Sequence, residues 1–86
     1  MKNLDLQEIR KQIDQVDSQL AALIEQRMRL TADVAEYKMQ NGKEIYDPVR
    51  EKENLASVRA MAQTPFGEIA MGEIFAQMMT ISRRYQ

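Results

Sequence analysis

Eighty-six residues suffice for one small domain, and 44% apolar with 29% charged side chains place the chain among soluble globular sequences. Twelve basic against thirteen acidic side chains leave a net charge of −1, so no global field draws a polyanion and nucleic acid is not an expected partner. Cysteine and histidine are both absent, which removes disulfides, thiolate metal sites, thiol nucleophiles and the usual near-neutral acid or base together.

The remaining chemical repertoire is Arg, Lys, carboxylates, amides and hydroxyls, with no metal or cofactor expected. No apolar run approaches the roughly 20 residues of a membrane span, and Met1-Lys2-Asn3-Leu4-Asp5 lacks the apolar core of a signal peptide, so the expectation is a cytoplasmic protein without a membrane partner. A chain of this size buries only roughly 60–65% of its unfolded surface, which favours association with a second copy.

The first forty residues contain neither Gly nor Pro. Leu6, Ile9, Ile13, Val16, Leu20, Leu23, Arg27, Leu30, Val34 and Tyr37 step by three and four in alternation, all apolar but Arg27. That stripe predicts one long helix over about residues 5–40, opened by Asp5 with Glu8 three residues on and closed by Asn41-Gly42. The opposite face carries Lys11, Asp14, Ser18, Glu25, Arg29, Asp33 and Glu36 and reads as solvated. Asp47-Pro48 predicts a second helix over about 48–62, and Thr64-Pro65 a third over about 65–85, with Ile74, Phe75, Met78 and Met79 on its apolar side. No segment alternates with period two. The fold class is therefore all-α, three helices in one domain over 1–86, one long and two shorter.

A helix of that first length spans about 54 Å, against a diameter of about 30 Å for a compact globule of this size. Part of its stripe must then be covered by another chain, and an interlocked helical homodimer is the simplest closed solution.

Polar residues interrupt the core pattern in several places. Arg27 lies in the seam between Leu23 and Leu30, where an isolated guanidinium would be costly, so an anion should meet it: a buried carboxylate, a register-marking pair or a ligand. Lys38 follows on nearly the same face about 16 Å along, and Arg10 precedes Arg27 by about 25 Å. A metabolite-sized ligand could bridge Arg27 and Lys38, whereas Arg10 could join them only from an antiparallel partner, giving two composite pockets per dimer. Taken singly, Arg10 and Lys38 also fit surface residues whose stems lie along the helix. Asp47, Arg50 and Glu51 are spaced to share a face with Leu55 and Val58, although an acidic cap with an exposed ion pair would also produce that pattern. Ser82 and Gln86 stack one turn apart beside Phe75, Met78 and Met79. The collection holds several cations, one or two carboxylates, a hydroxyl and an amide, but no nucleophile paired with a base. It suits a small dianion, either merely bound, as by a sensor, or acted on by preorganised donors that stabilise charge developing in a transition state, without proton transfer or a covalent intermediate.

Ile9-Arg10, Ile13-Asp14, Val16-Asp17, Leu20, Leu23-Ile24, Arg27, Val34, Lys38, Asp47-Pro48-Val49-Arg50-Glu51, Ile74-Phe75, Ser82-Arg83 and Gln86 together resemble the all-helical class of chorismate mutases over essentially the whole chain. The resemblance implies an interlocked homodimer with shared active sites that converts chorismate to prephenate by a Claisen rearrangement on the route to phenylalanine and tyrosine. It implies that Arg27 and the partner chain's Arg10 bind carboxylates, and that Lys38 and Gln86 donate to the ether oxygen. Glu51 would accept from the ring hydroxyl with Asp47 helping to place it, while Arg50 and Ser82 hold the ring-side carboxylate. Related modules occur fused to other enzymes of the same pathway, and the family's last helix usually continues past the glutamine that is terminal here. Two alternatives stand beside the mutase: a lyase on the same scaffold that eliminates pyruvate from isochorismate, and a non-catalytic helical dimer that binds an acidic metabolite.

Overall fold

The computed structural model describes residues 3–85, which form three helices and no strand: α1 (Leu6–Gln40), α2 (Pro48–Ala60) and α3 (Pro65–Arg84). The chain divides into two compact units, one ending at Thr31 and one beginning at Ala32. None of the described helices is long and apolar enough to cross a membrane.

The first unit is the amino-terminal stretch of α1. Asp5 caps it: its Oδ1 accepts from the backbone N–H of Gln7 at 3.0 Å and of Glu8 at 3.4 Å, satisfying two of the donors that every helix start leaves open. Glu8 adds a negative charge to the first turn, where the helix dipole favours it. The apolar positions of the three-four stripe in this unit are exposed, Leu20 at 51% and Leu23 at 60%.

The second unit begins with the end of α1, where Asn41-Gly42 acts as the sequence predicts. Gly42 has φ +64°, the left-handed conformation that costs a residue bearing a Cβ about 1–2 kcal/mol. Two bonds close the helix around it: Lys43 N–H donates to the Lys38 carbonyl at 2.8 Å and Gly42 N–H to that of Met39 at 3.3 Å. This is a Schellman termination. The Lys43 ammonium folds back over the Tyr37 ring, 5.4 Å from its centroid.

α2 starts on Asp47, whose Oδ1 accepts from Arg50 N–H at 3.0 Å, with Pro48 in the first turn. It ends at Ala60, two residues before the predicted boundary. Met61 N–H reaches Val58 and Ala62 N–H reaches Arg59, so the last turn tightens to a three-residue repeat before the chain reverses. α3 repeats the opening device with Thr64, whose Oγ1 accepts from Gly67 N–H at 2.9 Å ahead of Pro65.

α2 and α3 pack as an antiparallel hairpin. Glu51 near the start of α2 meets Arg83 near the end of α3, while Arg59 late in α2 lies over Gly72 in the middle of α3. Val58, Met79 and Ala35 form the buried apolar centre of this unit. Phe75 and Met78 are half-buried, but Ile74, predicted to lie with them, is 53% exposed. The reason is rotational: a residue one position before Phe75 sits about 100° around the helix, outside the arc that the hairpin covers.

Candidate functional site

Lys38, in the last turn of α1, bends towards the connecting loop. Its Nζ donates to the Ile45 carbonyl at 3.1 Å and lies 3.8 Å from Asp47 Oδ2, with the side chain 17% exposed. An ammonium carries three donors, and the Ile45 carbonyl takes one of them, while Asp47 Oδ2 at 3.8 Å acts as an ion-pair partner. Asp47 divides its carboxylate between two tasks, with Oδ1 capping α2 and Oδ2 facing Lys38. One residue thereby starts a helix and holds a cation near that start.

One turn further on, Glu51 is half-buried and its Oε1 accepts from Nη1 of Arg83. The same guanidinium stacks on the Tyr46 ring, 5.0 Å from the centroid, and its Nη2 lies 3.4 Å from Thr80 Oγ1. The hydrogen bond that Arg83 donates to Glu51 raises the guanidinium above its ordinary value; desolvation pulls the other way, and the charges of Glu51 and Tyr46 add to the rise. Ser82, the residue before Arg83, is buried.

The second unit thus gathers Lys38, Asp47 and Glu51 around the loop and the first turn of α2. Arg50 differs from the expectation that its charge would turn inward with theirs. Its side chain is exposed, because at about 100° per residue Arg50 and Glu51 fall on opposite sides of Asp47, and only the Glu51 side continues into Leu55 and Val58. In the first unit Arg27 is half-buried with its Nη1 shielded from solvent, and Arg10 is exposed. Gln86, expected to donate to the ether oxygen, lies outside the described residues.

Three contributors had no role in the sequence reading. Arg83 is a basic residue in a last helical turn, a position that helix-dipole complementarity already explains. Tyr46 sits in a loop without periodicity. Asn54, one turn after Glu51, buries its Oδ1 with no hydrogen-bond partner among the described residues; its place on the Asp47–Glu51–Val58 face was the only available signal. A separate groove between α2 and α3, lined by Arg59, Glu68, Ile69, Gly72 and Glu73, contains none of the sequence-predicted residues. Its two carboxylates against one guanidinium suit a dianion poorly.

The three-helix plan defines an all-α protein with charged side chains gathered at the head of α2. Residues 9–86 match the family model described as chorismate mutase type II. The chain belongs to that family. It is 53% identical over 47 residues to the chorismate mutase of Methanocaldococcus jannaschii, covering 55% of this chain and 48% of that one. It is 44% identical over 59 residues to the T-protein of Enterobacter agglomerans, covering 69% of this chain but only 16% of that one. The chain therefore spans at most about half the length of these two relatives. Two structures of the chorismate mutase from Thermus thermophilus share the fold. Form I superposes with a TM-score of 0.84 at 30% identity, covering 90% of this chain and 96% of that one. Form II gives 0.86 at 29%, covering 92% and 90%.

Proposed function

We propose that this protein is an isomerase that converts chorismate to prephenate. The observation that carries the reading is the family match over residues 9–86, which includes every proposed site position. The chemistry agrees with the residues available. A unimolecular rearrangement needs no nucleophile, metal or redox group, only donors where negative charge grows and a grip that holds the reacting ends together.

In this reading Lys38 presents a further N–H to the ether oxygen as the C–O bond breaks, with Gln86 as the second donor. Glu51 accepts from the ring hydroxyl, and Asp47 keeps the Lys38 ammonium near the start of α2. Arg27 and Arg10 of the partner subunit hold carboxylates by charge-assisted bonds, while Ser82 and Arg50 serve the ring-side carboxylate. Arg50 would swing in from its exposed position.

The working assembly in this reading is a homodimer with two shared sites. Its support is the outward stripe of α1, where Leu6, Ile13, Val16, Leu20 and Leu23 are all more than half exposed. Soluble monomers rarely leave so long an apolar strip in water. The T-protein alignment, confined to 16% of that chain, supports the further reading that such a module can be joined to another enzyme. The cytoplasm is the compartment assigned, and fractionation of source cells should find it there.

The test is to incubate the protein with chorismate and, separately, with isochorismate. Loss of chorismate with prephenate as product is expected. Release of pyruvate from isochorismate, with chorismate untouched, would overturn the mutase in favour of the lyase. Tight binding without turnover would assign the chain to the non-catalytic class.

A further inference from the structure

Glu51 and the loop before α2 are held by a group that the proposed reaction does not use. Arg83 reaches from α3, donates through Nη1 to Glu51 Oε1 and sets its guanidinium over the Tyr46 ring, with Nη2 towards Thr80 Oγ1. A carboxylate one turn into a helix has rotamers of similar energy, and each points its acceptor lone pairs differently. Occupying Oε1 fixes the rotamer and leaves Oε2 as the acceptor for a ligand hydroxyl. The stack on Tyr46 bears on the same loop whose Ile45 carbonyl receives the Lys38 ammonium. Arg83 thus touches both the carboxylate and the neighbour of the residue that holds the lysine.

We propose that Arg83 is a positioning residue: it orients Glu51 towards the substrate hydroxyl and, through Tyr46, steadies the loop that holds Lys38. This rests on the chorismate mutase reading above, because Glu51 needs orienting only if it meets a substrate. Lysine is a poor substitute. It brings the charge, but it lacks the planar fork that bonds Glu51 while a flat face stacks on Tyr46.

A double-mutant cycle on the full chain separates this role from plain structural support. Chorismate turnover is measured for wild type, Arg83→Gln, Glu51→Gln and the double variant, with helicity and thermal midpoint followed in parallel. The hydroxyl contact exists in both ground and transition states, so Arg83→Gln should raise KM about tenfold with a smaller change in kcat. Arg83→Lys should restore part of the loss. In the Glu51→Gln background, Arg83→Gln should cost markedly less than in wild type, since the charge-assisted bond to Glu51 is already gone and only the share exerted through Tyr46 remains. Equal losses in both backgrounds, or a loss that tracks only a fall in helicity, would overturn the positioning role while leaving the mutase reading intact. A wild-type chain that leaves chorismate unchanged would overturn the mutase reading and the positioning role with it.

Discussion

Lys38 combines a hydrogen bond to a loop carbonyl with an ion pair to a carboxylate in 17% exposure, an arrangement that engages part of the ammonium with the protein to aim the remainder. If the aimed N–H meets the breaking C–O bond, Lys38→Ala should lower kcat by two to three orders of magnitude, the scale of a lost oxyanion donor. Circular dichroism should stay close to wild type, because the lost loop contacts are peripheral to the Val58–Met79 centre. Turnover near wild type would remove Lys38 from the mechanism. Asn54 poses the opposite case. A buried amide oxygen with no partner among the described residues forfeits its hydration, so Asn54→Leu, of similar shape and apolar, should stabilise the fold by about 1 kcal/mol. In a chain of this length that is a rise of about 4–8 °C in Tm. A fall in Tm would show that the assembled protein supplies a donor to that oxygen. Neither residue's role was legible from spacing. Lys38 stood on the right face as one cation among several, and Asn54 was a polar interruption like others on exposed helices.

The helices were legible because their ends are chemical. Asp5, Asp47 and Thr64 each bond a backbone N–H two or three residues on, and Pro48 and Pro65 occupy turns that need no donor. Only the end of α2 moved, where tightened bonds replaced the last predicted turn. Two glycines with opposite tasks make this testable. Gly42 sits at φ +64° with nothing near the position of a Cβ, so Gly42→Ala meets backbone strain alone and should destabilise by about 1 kcal/mol or slightly more. Gly72 is in mid-helix, and a Cβ there would come within 2.6 Å of Arg59 Nε, the end of a flexible exposed side chain. Gly72→Ala should therefore be neutral or stabilising by up to about 1 kcal/mol, the gain in helix propensity less the cost of moving Arg59. Urea midpoints for the two variants should shift in opposite directions, or only that of Gly42→Ala should fall.

For the assembled molecule, the decisive feature is the long apolar stripe that one chain leaves in water. On the proposed dimer, Arg10 serves the partner's site and Lys38 its own. Arg10→Ala and Lys38→Ala dimers should each be nearly inactive. After exchange of subunits, mixed dimers carry one site with both defects and one with neither, so at equal input about half the dimers regain one working site. Activity that stays absent despite exchange demonstrated by mass spectrometry would contradict sites built from two chains. Dilution should reduce helicity and activity together, because folding and association are linked when the stripe has no other cover.

Sequence established the helices, their capping residues and the two faces of α1, since each follows from bonds or periodicities reaching no further than four residues. It also established the chemical vocabulary: without Cys or His, charge and hydrogen bonding are all that remains for a site. Tertiary structure decided which charges meet. Glu51 and Arg83 stand thirty-two positions apart and become partners only when α2 and α3 fold back on each other. A contact between distant segments depends on how packed helices are rotated about their axes, and local spacing carries no record of that angle.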